Sequence, residues 1–159
     1  MNHQRTKTLG VYLILGSTLQ ICLYLAMSLS TDRADWLFYF DPRIGFFFLE
    51  SAVRGAELVT PGIFQWLSAV WILLLGLMLL LGLPLVKTYI ASEIVLSIPS
   101  TFFFLAIVWA NLSPAHGFSV GELLFPVIVM LVFSVAPLLL AFRTRKKSGR
   151  IELSNPARA

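Results

Sequence analysis

Glu93 is the residue at which chemistry inside a membrane is most readily conceived. It is the only carboxylate within the third of four predicted spans, and an acid carried in hydrocarbon is by default a candidate for proton or ion binding. Tyr89, Glu93, Ser97 and Ser100 recur at offsets of 4, 4 and 3, which lines them along one helical face. In the first apolar run Tyr12, Gly16, Gln20 and Tyr24 form a broader stripe. Counting inward from one side brings Gln20 to about the depth of Ser97 and Ser100, so the two stripes could face each other and satisfy each other's polar groups. Interhelical bonds of this kind contribute ~0.6 kcal/mol on average, enough to orient helices without implying a conduit. Lys87 precedes Glu93 by roughly 9 Å of helix axis and projects about 120° away, so the two are not expected to pair. Glu93 is expected near the inner edge of its span, with an interfacial or structural role, where replacement by Leu would be nearly neutral; buried among the helices instead, the same change would cost neighbouring polar groups a partner at ~1–3 kcal/mol.

A second set of charges lies between the first two apolar runs. Asp41-Pro42 is a helix-start signal, and beyond it Arg43, Glu50, Arg54 and Glu57 recur at offsets of 7, 4 and 3 in one narrow stripe. Ile44, Phe46, Phe48, Leu49, Ala52, Val53 and Ala56 fill the remaining surface. Such a segment is too charged to span and too apolar to float, so residues 42–58 are read as an amphipathic helix lying in the outer interface or folded onto the bundle. Its four charges are the candidate partner-docking residues. Glu50 and Arg54, one turn apart, would contribute only ~0.2–0.5 kcal/mol as an exposed pair.

Signs of catalysis are sparse. His116 and Glu122 could form an acid/base pair at the outer surface, but Ser119-Val120-Gly121-Glu122 has the spacing of a capping box, which already employs the glutamate. HExxH, a phosphate-binding glycine loop and CxxC are all missing from the sequence, so metalloprotease, nucleotidase and thioredoxin-like chemistries lack their residues. His3 and His116 fall on opposite sides of the expected topology, a poor arrangement for haem. The single cysteine, Cys22, excludes an intramolecular disulfide and reads as a small packing residue. No catalytic residue, metal site or cofactor is assigned.

The elements that must position these residues are membrane spans. The chain of 159 residues is 58% hydrophobic and 13% charged, against roughly 25% charged in soluble domains, so a water-soluble monomer is close to excluded. Stretches 8–31, 58–86, 94–121 and 123–142 contain no Asp, Glu, Lys or Arg, and each can supply the ~20 residues a spanning helix needs. The reading is an all-α integral membrane protein with spans at about 9–29, 61–82, 87–111 and 120–142. These form one domain over 1–147, followed by a basic polar tail at 148–159. The first run is too long for the core of a cleavable signal and is read as a retained span. With a cytoplasmic amino terminus, nine Lys and Arg residues lie inside and three outside, so both termini are placed in the cytoplasm. Thr60-Pro61 is the expected start of the second span, and Gly82 with Pro84 its stop. Pro99, Pro126 and Pro137 are candidate kinks.

The net charge of +4 does not indicate a nucleic-acid partner, because five basic residues crowd just after the last span, where a topology signal sits. The expected surroundings are the lipid bilayer and other membrane subunits, or further copies of the chain. Aromatic residues cluster in the outer loop and outer ends of the spans, as an interfacial belt or as a groove for a lipid, quinone or pigment. The leading expectation is a non-catalytic accessory or assembly subunit of a membrane complex, in a bacterial inner membrane. A small transporter or lipophilic-ligand binder, and a self-assembling membrane-permeabilising pore, are the alternatives.

Overall fold

The computed structural model describes residues 3–29, 40–54, 61–111 and 120–153, and every regular element among them is helical. In chain order these are α1 (His3–Leu29), α2 (Ile44–Arg54), α3 (Ile63–Leu80), α4 (Val86–Asn111), α5 (Val120–Met130), a π-helical turn (Leu131–Val135) and α6 (Ala136–Leu153). Four helical stretches, Gln4–Leu29, Ile63–Leu80, Val86–Ala106 and Leu124–Arg145, are long and apolar enough to cross a membrane. Their outward faces carry exposed Leu15, Leu19, Leu67, Val95, Leu105 and Leu139, as a surface solvated by lipid tails requires.

Helices α1 and α3 form the closest pair, and two glycines explain how. A Cβ on Gly10 would fall 2.8 Å from the Gly76 carbonyl oxygen, and one on Gly76 would fall 3.1 Å from the Gly10 carbonyl oxygen. The backbones therefore touch where neither residue has a side chain, the usual way helices associate when lipid removes the hydrophobic drive. Helix α3 starts two residues later than Pro61: Gly62 precedes it, and its amide donates to Gln65 Oε1 at 2.7 Å. Thr60, the expected cap, lies outside the described residues. The stop is at Gly82, whose φ of 90° suits only glycine well, with Leu83 N–H donating to the Met78 carbonyl at 3.0 Å.

Two apolar clusters are stacked along the bundle. Leu9, Leu13, Ile72, Leu75, Leu79 and Tyr89 belong to one, and Tyr24, Met27, Ile44 and Ala69 to the other. Along α1 the buried polar residues Ser17 and Gln20 fall between them, as does Glu93 on α4. Into this polar layer the chain inserts residues 41–45. Gly45 makes the insertion feasible: a Cβ there would lie 2.1 Å from the Ser100 amide nitrogen and 2.2 Å from the Pro99 carbonyl carbon. Phe48 then stacks on Phe103 at 4.1 Å and Phe46 on Phe64 at 6.1 Å, tying α2 to α4 and α3.

The π-helical turn has a definite cause in Pro137. Ala136 N–H donates to the Leu131 carbonyl, one residue beyond the α-helical partner. The Val132 carbonyl has thereby lost its α-helical donor, and its π-helical donor would be residue 137, a proline without an N–H. Tyr12 of α1 takes this orphan, donating its hydroxyl at 2.6 Å. Pro99, by contrast, sits inside a continuous α4, two residues before Thr101, whose hydroxyl donates to the Ser97 carbonyl at 2.9 Å.

Candidate functional site

Asp41 is the hub of the inserted segment. Its Oδ1 accepts from the Arg43 amide at 2.8 Å, from the Tyr24 hydroxyl at 2.8 Å and from Gln20 Nε2 at 3.3 Å. Its other oxygen accepts from Gln65 Nε2. The orientation of the Gln65 amide is fixed, because its oxygen already accepts the Gly62 N–H. Four donors converging on two oxygens are the arrangement that stabilises a carboxylate without a counter-ion. The helix-start bond expected of Asp41 is present in its bond to the Arg43 amide, and the same side chain also joins α1 and α3.

From this anchor Arg43 extends into the middle of the bundle. Its Nη2 donates to both carboxylate oxygens of Glu93, at 2.9 and 2.7 Å, and its Nη1 reaches Ser97 Oγ at 3.4 Å and Ser134 Oγ at 3.5 Å. Arg43 is 3% exposed and Glu93 1%. The Ser97 hydroxyl also donates to Glu93 Oε1 at 3.3 Å. Ser100 binds the backbone of the insertion, accepting from the Gly45 amide at 3.3 Å and donating to the Pro42 carbonyl at 3.1 Å. The cluster lies deep: Ser97 and Ser134 each fall close to the midpoint of the apolar stretches Val86–Ala106 and Leu124–Arg145. Arg43 Nε and the Tyr89 hydroxyl are buried without a hydrogen-bond partner among the described residues.

Several expected placements change. Glu93 does not sit at an edge but is buried against Arg43, because the guanidinium that neutralises it comes from the loop and not from Lys87. The stripes of α1 and α4 do not face each other directly; residues 41–45 lie between them, so Gln20 meets Asp41 while Glu93, Ser97 and Ser100 meet Arg43, Pro42 and Gly45. Tyr89 belongs to the apolar cluster one turn below Glu93. The charges expected on one outward stripe also turn inward. Arg43 is spent on Glu93, and Glu50, 4% exposed, lies against the start of α3, where a Cβ on Gly62 would fall 1.2 Å from its Oε2. A carboxylate there complements the helix dipole. The Arg54 side chain, Glu57 and the expected Glu50–Arg54 pair lie outside the described residues, as do His116, Ser119 and the Glu122 side chain of the expected capping box.

Asp41, Gln65 and Ser134 were not among the candidates that sequence reasoning selected. Gln65 carries a signal that could have found it, being an amide only one turn inside a span whose other polar side chain is Ser68.

Several spaces adjoin this cluster, among them an apolar one of about 120 Å³ lined by Leu19, Gln20, Phe40, Pro42 and Phe133. A cavity of about 10 Å³, the size of a single water, is lined by Tyr12, Ser17, Gln20, Arg43 and Phe133 among others. On the other side of the serines a lateral groove of about 330 Å³ runs between α4 and the α5–α6 unit. Ile94, Ile98, Thr101 and Phe102 form one wall and Met130, Val135 and Leu138 the other, with Ser97 and Ser134 completing the lining. Ile94, Ile98 and Phe102 are exposed, so the groove opens sideways onto the surface that lipid would cover. Among the described residues no group of three His, Cys, Asp or Glu side chains is arranged to hold a metal ion. Comparison with protein-family models, with curated proteins and with solved structures finds no match.

Proposed function

We propose that this protein binds a lipophilic molecule within the membrane, as a carrier or small transporter, with the groove between α4 and α5–α6 as its entrance. The observation that carries this reading is the polar end of that groove. Ser97 and Ser134 line an otherwise apolar space at mid-span, and behind them stands a buried Arg43–Glu93 pair. Both hydroxyls serve the buried Arg43–Glu93 pair and also border the groove, so a molecule entering it meets polar atoms at a depth otherwise apolar. The proposed orientation has both termini in the cytoplasm, which the lysine and arginine bias supports, and the proposed host is a bacterial inner membrane, on the strength of the compact chain and its short basic tail.

A second reading, an accessory or assembly subunit, draws on exposed Phe48, Leu49 and Val53 along α2, the last 79% exposed. It loses the charged docking stripe as its motive, because Arg43 and Glu50 are engaged within the fold. Native mass spectrometry after mild detergent extraction separates the readings. Ligand binding predicts a monomer carrying one small neutral adduct; a hetero-complex would replace it with the subunit reading, and a homo-oligomer without adduct with the self-assembling pore.

A further inference from the structure

We infer that the groove recognises an uncharged head bearing an acceptor oxygen, such as the carbonyl of a quinone-sized compound, and that Ser134 is the donor that reads it. This deepens the proposed function and rests on it.

Three observations converge on that chemistry. The first is charge. Arg43 is the only cation at the polar end of the groove among the described residues, and Glu93 occupies it through both carboxylate oxygens. An anionic head would therefore bring a net negative charge into the low-dielectric interior, at a cost that no nearby group offsets.

The second is the direction of the hydrogen bonds. Ser97 donates to Glu93, so its proton is committed. Among the described residues Ser134 engages in one side-chain bond, as the acceptor of Arg43 Nη1, and its own proton is left to give.

The third is depth. Ser134 lies 10 residues from Leu124 and 11 from Arg145 within its span, roughly 15 Å of helix from either end. In a hydrocarbon layer about 30 Å thick, the ester carbonyls and phosphates of bilayer lipids stay near the surfaces. What carries an acceptor oxygen to the midplane is a neutral molecule soluble in the hydrocarbon itself. A groove of about 330 Å³ admits a substituted ring with the first part of an alkyl or prenyl tail, the remainder lying among the lipid tails.

The test is equilibrium binding of decylubiquinone to the full chain in phosphatidylcholine nanodiscs, with palmitate as the anionic competitor and Ser134→Ala and Ser134→Thr as variants. Saturable binding of the quinone is expected, about fivefold weaker in Ser134→Ala, as for loss of one neutral hydrogen bond, and restored in Ser134→Thr, with no competition from palmitate. A thermal melt of each variant shows that the fold is retained. Equal affinity in wild type and folded Ser134→Ala would overturn the role of Ser134. Saturable palmitate binding would overturn the neutral head while leaving a lipophile-binding protein. Binding of neither probe would remove the reading on which the inference stands.

Discussion

Removing one partner of the Arg43–Glu93 pair should be far more damaging than removing both. The pair is made at 2.7 Å with side chains 3% and 1% exposed, so neither charge can turn to water if its partner is lost. Breaking a buried pair from one side costs about 3–5 kcal/mol, whereas replacing both members with apolar residues of similar volume is close to neutral. An exposed pair would contribute at most ~1 kcal/mol. Arg43→Met and Glu93→Leu should therefore each lower the melting temperature by roughly 6–20 °C, taking about 2–4 °C per kcal/mol for a chain of this size. The double variant should recover most of the loss. Intrinsic tryptophan fluorescence during heating in mild detergent reads all four proteins, and the double-mutant cycle isolates the coupling. Shifts below about 2 °C in both single variants, or a double variant as unstable as the sum of the singles, would refute the buried-pair account.

Three further expectations follow from particular contacts. Gly45→Ala places a methyl 2.1 Å from the Ser100 amide nitrogen, where backbone cannot give way, so residues 40–54 should lift from α4 and exchange amide hydrogens faster by mass spectrometry. Tyr12→Phe strips the Val132 carbonyl of its 2.6 Å donor in lipid and should destabilise the protein by about 1–3 kcal/mol in the same thermal assay. In a Cys22→Ala background, a cysteine placed at Ala34 should react with an impermeant thiol reagent in intact cells while one at Ser148 should not; labelling in the opposite sense would invert the proposed topology.

What the sequence made legible was local or periodic. The charge-free stretches announce the helices, and Gly82 with Pro84 announces the end of α3, because both depend on a few neighbouring residues. The polar stripes were equally plain, since Gln20, Glu93, Ser97 and Ser100 are conspicuous in apolar surroundings. Their partners were not. Periodicity puts Arg43 and Glu50 on one stripe of the helix expected over 42–58 but is silent on whether that stripe faces water or a buried carboxylate, and a long arginine side chain serves either. The deciding feature is Gly45, whose missing side chain lets the loop lie on the backbone of α4 at Pro99. That contact joins residues 55 positions apart in sequence, beyond the reach of any local pattern. The π-helical turn was hidden for a related reason: Pro137 signals a disturbed ladder, but only the approach of Tyr12 from α1 determines how the freed carbonyl is satisfied.

The account stands most directly on whether the groove holds a molecule from the membrane. Ile98 lines it and is exposed at its rim, so Ile98→Trp should fill the space without adding charge. Protein and variant, extracted gently and purified in parallel, are to be stripped with organic solvent and the extracts compared by mass spectrometry. The wild type should yield one neutral, oxygen-bearing lipophile near one molecule per chain, strongly depleted in Ile98→Trp. Two identical extracts matching the bulk membrane lipids would contradict the account.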